Sequence, residues 1–168
     1  ERFSGSQAQR QEAAGLPEQF SQKVDLRVAR IQGIERHPKA DKLYVETIDL
    51  GGEQRTIVSG LVPYYAEEDL LGKNVVVVAN LKAARLRGVE SQGMLLAAEQ
   101  GEVVEVVFAP EASPGDRVVV EGVEPKDTPA EINIDEFFAL PIDVADHRLH
   151  VQGKTLIAAG KPLAVERV

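Results

Sequence analysis

From Val24 the chain alternates. Val24, Leu26 and Val28 fall on one face and Asp25, Arg27 and Ala29 on the other, the period of two expected of a half-buried strand. Six further strand signals follow at short intervals, over Leu43 to Leu50, Arg55 to Leu61, Val75 to Leu81, Met94 to Ala98, Val103 to Phe108 and Arg117 to Val120. Gly51-Gly52, Gly101 and Pro114-Gly115-Asp116 stand between them as turn residues. One stretch breaks the rhythm: Pro63 near its start, Glu67, Glu68 and Asp69 in its early turns and Gly72 past its end predict a short helix. Residues 1–22 are rich in Gln, Ala, Ser and Glu without an apolar period, and read as a linker or N-terminal extension ending in a docked turn.

Many short strands with one helix before the fourth predict an all-β fold with a short helix. A small closed barrel of the OB type over residues 23–123 fits this order, and a sandwich also fits the pattern alone. Beyond Val123 a turn or short helix and strands around Gln152-Gly153 and Gly160-Lys161 predict a small β-rich C-terminal extension, 124–168. A unit of that size is near the lower limit for independent folding, so it is expected to pack on the barrel.

Composition narrows the function classes. With 168 residues and 43% hydrophobic content there is enough apolar side chain for a buried core. There is no cysteine, which removes disulfides, thiolate metal sites and cysteine nucleophiles together and suits a reducing compartment. The apolar runs Val75 to Ala79 and Met94 to Ala98 are too short to cross a bilayer as helices, so no membrane association and a cytoplasmic location are expected. Glu1 in place of an initiator methionine suggests a piece of a larger chain.

Charge first argues against a nucleic-acid partner. The 27 acidic and 19 basic residues give a net charge of −8, so any attraction to phosphate must be local. The basic residues do bundle. Lys23, Arg27, Arg30, Arg36, Lys39 and Lys42 fall in one window, and Lys82, Arg85 and Arg87 in another. Such bundles are also what a solvated charged face looks like. The segment Asn80 to Met94 is more informative, because Lys82, Arg85 and Arg87 can meet phosphates while Asn80, Ser91 and Gln92 can bond base edges or 2′-hydroxyls. The same residues would equally serve as an ordinary polar connection with Met94 in the core.

These residues carry a family resemblance. VDLRVARIQGIERHPKADKLYVETIDLG (24–51), RTIVSGLV (55–62), NLKAARLRGVESQGMLLAA (80–98) and SPGDRV (113–118) resemble, in order, the tRNA-binding domain of the endothelial monocyte-activating polypeptide II type, appended to some methionyl- and tyrosyl-tRNA synthetases. The resemblance implies a five-stranded OB-fold barrel that binds tRNA, needs no cofactor and does not itself catalyse aminoacylation. It implies Asn80, Lys82, Arg87 and Ser91 as contact residues in the loop, Arg85 less so, and Met94 as a structural one. Ala83 and Leu86 depart from a proline and a methionine common in relatives, and neither change removes a polar contact. AEINIDEFF stands where animal-type relatives carry a lysine-rich run, a loss of positive charge. The extension resembles the segment that, in that subgroup, covers a surface which shorter relatives use to dimerise, and this implies a monomer. The expected partners are tRNA and a synthetase catalytic domain, in the same chain or another.

Enzymatic readings find little. Gly153-Lys154-Thr155 lacks the first glycine of a P-loop, since position 148 is Arg148. His147 and His150 have no third ligand in view, and Ser59 has no nucleophile-elbow pattern. His37, before Pro38, is expected to shape a turn beside the basic cluster. The alternative to RNA binding is a cytokine-like or assembly module of the same fold, with cytokine activity in relatives assigned to the stretch corresponding to Arg27 to Gly33.

Overall fold

The computed structural model describes residues 15–125 and 127–168, so the linker reading for residues 1–14 lies outside the described residues. The chain runs α1 (Leu16–Lys23), β1 (Leu26–Arg36), β2 (Tyr44–Asp49), β3 (Gln54–Ser59), α2 (Glu67–Leu70) and β4 (Asn74–Val78). Then come a hairpin, β5 (Ala84–Leu86) and β6 (Val89–Ser91), and the strands β7 (Met94–Leu95), β8 (Ala97–Gln100), β9 (Val103–Val106) and β10 (Val119–Val120). α3 (Ile134–Phe138), β11 (Asp143–Ala145), β12 (Arg148–Val151), β13 (Lys154–Ala158) and β14 (Lys161–Pro162) complete it.

One five-stranded sheet, ordered β3-β2-β1-β4-β7, forms the barrel expected from the strand spacing. A register shift between Ile31 and Gly33 bends β1, which pairs with β4 through its first half and with β2 through its second. Closure is made by Gln92, whose N–H donates to the Thr56 carbonyl at 2.8 Å, and by Arg55, whose Nη1 donates to the Ala79 carbonyl at 2.6 Å. At the β2–β3 turn Gly51 meets Gly115. A Cβ on either would lie 2.8 Å from a backbone oxygen of the other turn, so the close approach needs glycine on both sides.

β4 explains the architecture. Val75 and Val77 point into the barrel interior with Ala29, Ile31, Ile48, Ile57 and Leu95, while Val76 and Val78 face the opposite way. There they join Leu26 and Val28 in a second core completed by Phe20 of α1 and by Ile132, Phe137, Leu149, Val151 and Leu156. A strand buried on both faces reads as a continuous apolar run, and each fully buried valine contributes about 1.5–3 kcal/mol. Among the described residues the β-rich C-terminal segment therefore shares this second core and roofs the outer face of β1 and β4. Its sheet, β10-β13-β12-β11, takes in β10 from before Val123.

Several elements differ in detail from the sequence pattern. α1 occupies Leu16–Lys23, where a linker with a docked turn was expected; Pro17 starts it and only Pro17 and Phe20 of the helix are buried, so no period marks it. The helix expected over Pro63 to Gly72 shortens to α2, because the Tyr64 and Tyr65 N–H groups turn back onto the Leu61 carbonyl and the Tyr65 carbonyl accepts from the Tyr44 hydroxyl at 2.6 Å. The strand expected from Arg117 begins at Val119, since Arg117 instead joins a lock around the buried Asp25. Met94 to Ala98 is split between β7 and β8 at Leu96, whose N–H bonds the Val76 carbonyl while its carbonyl accepts from Val107.

Two carboxylates are held in opposite ways. Glu46 points into the barrel interior, fully buried, with Oε2 accepting from the Ser59 hydroxyl at 2.6 Å and Oε1 without a partner among the described residues. Burial pushes its carboxyl up to about 7, partly opposed by the Ser59 bond. Burial would also raise Glu105, but it accepts backbone N–H bonds from Glu166 (2.6 Å), Arg167 (2.7 Å) and Val168 (3.2 Å), which outweigh burial and hold it below its ordinary value.

Candidate nucleic-acid interface

The segment Asn80 to Met94 is more ordered than a polar connection. Leu86, Arg87, Gly88 and Val89 make a two-residue hairpin turn with φ of 53° at Arg87 and 90° at Gly88, the signs of a type I′ turn. Such turns favour Asn or Asp at the first position. Arginine there accepts a strained backbone and puts a guanidinium at the hairpin tip. Arg85 steadies the turn by donating from Nη1 to the Gly88 carbonyl at 2.8 Å, and stands opposite Glu90. Lys82, Arg85 and Arg87 are all exposed.

The amide and hydroxyl residues of the segment are engaged with the protein. Asn80 Oδ1 accepts from the Asp25 N–H at 3.0 Å, and its Nδ2 donates to the carbonyls of Lys23 (2.8 Å) and Ala130 (2.7 Å). Ser91 is buried, its Oγ accepting from the Val58 N–H and donating to the Gly93 carbonyl. Gln92 Oε1 accepts from the Thr56 N–H at 3.0 Å. Met94 is half-buried against the second core, as expected. The base of the hairpin is stitched to the extension: Lys82 N–H donates to the Ile132 carbonyl and Ile132 N–H to the Asn80 carbonyl.

The first basic window divides. Arg27 is fixed on the buried Asp25 at 2.8 Å and on the Gly115 carbonyl, and Arg117 approaches the same Asp25 at 3.9 Å. Arg30 donates to the Gly72 carbonyl. Burial raises the Tyr44 phenol, which Arg36 lowers and Glu67, Glu68 and Asp69 raise further, while Arg36 itself is exposed and makes no ion pair among the described residues. Lys39 and Lys42 lie exposed in the turn 37–43, closed by the His37 N–H donating to the Leu43 carbonyl. That turn abuts the hairpin, because His37 Nε2 lies 2.9 Å from the Leu86 carbonyl.

The two loops thus carry Lys39, Lys42, Lys82, Arg85 and Arg87 against Asp41 and Glu90. Among the described residues none of these five cations is in an ion pair, unlike Arg27, Arg55, Arg117 and Lys161. They are the loops between the first two strands and between the fourth and fifth, which frame the oligonucleotide face of OB-folds. The stretch Arg27 to Gly33 belongs to the central strand, with Val28, Ala29 and Ile31 buried.

A family model for a tRNA binding domain matches residues 26–117, more than half of the chain. The chain belongs to that family. Members of the tRNA-binding domain family are non-catalytic binding modules, and this chain is one. The methionine–tRNA ligase of Treponema denticola is 46% identical over 168 aligned residues, covering 90% of this chain and 21% of the ligase, so the chain spans about a fifth of that relative. The C-terminal domain of Plasmodium vivax p43 superposes with a TM-score of 0.80 at 30% identity, over 85% of this chain and 92% of that one. A methionyl-tRNA synthetase related protein of Pyrococcus horikoshii gives 0.54 at 31% identity, over 68% of this chain and 98% of that one. Of the described helices, none is long and apolar enough to cross a membrane.

Proposed function

We propose that this chain holds folded tRNA for a methionine–tRNA ligase, binding phosphates with Lys82, Arg85 and Arg87 of the hairpin and Lys39 and Lys42 of the neighbouring turn. The observation that carries the reading is the set of five exposed cations, without carboxylate partners among the described residues, on two abutting loops of an OB-fold. Arg27, paired with Asp25, contributes fold rather than affinity, and the exposed Arg36 at the end of β1 stays a candidate contact. Asn80, Ser91 and Gln92 act one step back, fixing the hairpin's base and rear strand. Phosphate contacts and shape dominate over base readout. Tethered to a catalytic body, the module raises the local tRNA concentration there. We further propose 23–123 as the binding unit with 124–168 as its roof, a monomer in solution because the roof covers β1 and β4, and a cytoplasmic setting.

The chain titrated with total tRNA at 50 and 200 mM salt is expected to bind saturably, the logarithm of affinity falling with that of salt at a slope near −4 if about five phosphates are neutralised. Absence of binding at 50 mM, or binding indifferent to salt, removes the reading. Sedimentation of the same samples is expected to show one chain per particle; a stable dimer at micromolar concentration removes the monomer.

Arg87→Asn separates stability from binding. Asparagine suits the first position of a type I′ turn, so the variant is expected to unfold at slightly higher urea, a gain of about 0.5–1 kcal/mol. Its affinity for tRNA is expected to fall about 5- to 10-fold, the scale of one lost phosphate contact. Lower stability together with unchanged binding would contradict both halves.

A further inference from the structure

His37 is 5% exposed, yet it belongs to neither apolar core. Its ring lies between two loops that are themselves exposed, and both ring nitrogens are used on backbone. Nδ1 accepts from the Lys39 N–H at 3.0 Å, so the ring hydrogen is on Nε2, which donates to the Leu86 carbonyl at 2.9 Å. One bond fixes the backbone that carries Lys39, and the other fixes the residue before the Arg87-Gly88 turn. The hairpin is otherwise held at its base, by the bonds of Asn80 and Lys82 to Ile132, and through β6 and Gln92, by the bonds of Ser91 to Val58 and of Gln92 to Thr56. The front strand, β5, is exposed along its whole length. Among the described residues, the His37–Leu86 bond is the only hydrogen bond joining the turn 37–43 to the hairpin.

We infer that His37 is a positioning residue for tRNA binding: it sets the spacing between the two basic loops, so that Lys39 and Lys42 engage the same tRNA surface as Lys82, Arg85 and Arg87. The inference rests on the phosphate-binding reading above. A rigid array meets a fixed phosphate spacing without ordering each loop separately on binding, and loops that move independently lose that advantage. Because His37 works through backbone atoms, its contribution does not depend on a charge of its own.

The test uses two replacements that each keep half of the imidazole. His37→Asn puts a carbonyl oxygen where Nδ1 accepts from Lys39 but cannot reach Leu86. His37→Gln puts an amide nitrogen where Nε2 donates to Leu86. Affinity for total tRNA is measured at several salt concentrations, beside urea unfolding of the free chain. His37→Asn is expected to bind about 5- to 10-fold more weakly with a salt slope shallower by one to two, the signature of phosphates no longer met together. His37→Gln is expected to stay within about 2-fold of the unmodified chain. Equal losses in both variants, or an unchanged affinity and slope in His37→Asn, overturn the inference.

Two further measurements keep the result decisive. Should either variant fail to fold, the His37 Nε2–H proton of the unmodified chain is followed by NMR as tRNA is added. Its retention with slower exchange is expected, and its loss overturns the inference. Lys82→Ala with Arg87→Ala is run alongside. If that double variant binds like the unmodified chain, the phosphate-binding reading fails and takes the His37 inference with it. If it binds weakly while His37→Asn is unaffected, only the His37 inference fails.

Discussion

Glu46→Gln is expected to make the protein more stable at pH 8, by about 3 kcal/mol, and only slightly so at pH 5, by less than about 1 kcal/mol. The Glu46 carboxyl is fully buried among apolar side chains of the barrel, with one oxygen on Ser59 and the other without a partner among the described residues. Burial moves its titration from the ordinary 4.5 to about 7, so the folded state holds a proton that the unfolded state has released. The sign follows from linkage. A carboxyl whose folded value is raised favours folding fully below the unfolded value, and that contribution is lost as pH climbs through about 7. Each unit of separation is worth about 1.36 kcal/mol, which sets the scale of the effect. Glutamine keeps an acceptor for Ser59 and cannot ionise. Urea midpoints taken from pH 5 to 8 should therefore slope downward for the unmodified chain and run flatter for the variant. Parallel curves would mean that Glu46 does not set this pH dependence.

Lys82→Ala with Arg87→Ala is expected to weaken tRNA binding about 10- to 100-fold near 0.1 M salt and to flatten the salt slope by nearly two. Each cation that neutralises a phosphate releases counterions and adds about 0.7–0.9 to the slope, worth close to a factor of ten at that salt. Arg87 at the turn tip and Lys82 at the hairpin base bracket the loop, and among the described residues neither side chain has a carboxylate partner to lose. Both are exposed, so the unfolding midpoint should move little, within about 0.5 kcal/mol. Arg85 is the weaker target, since part of its guanidinium supports the turn through Gly88. Unchanged affinity and slope in the double variant would move the interface elsewhere.

Much of the barrel is legible in the sequence because its strands alternate and its turns carry glycine. The unbroken valines of β4 also announce burial on both sides, but a one-dimensional pattern does not say what covers the second face; that takes Phe137, Leu149 and Val151, far along the chain. The β5–β6 hairpin is hidden because Arg87 occupies a turn position where Asn would have signalled it. At the candidate interface, residue type misleads for Asn80 and Ser91, which look like groups offered to a ligand and are spent on Asp25, Lys23, Ala130, Val58 and Gly93. Charge counting likewise treats Arg27 and Lys82 alike, and only the position of Asp25 tells them apart. Glu46 leaves a readable trace, since it falls in phase with Tyr44 and Ile48 on the inward side of β2.

The roof over β4 also has a consequence in time. Val76 and Val78 leave the ribosome some 50 residues ahead of Ile132, and at about 5–20 residues per second that face stays bare for roughly 3–10 seconds. For that interval each nascent chain carries an apolar sheet face that a neighbour on the same message could cover instead. The surplus of acid, −8 over the whole sequence, offers nothing to a phosphate backbone, but it makes such neighbours repel.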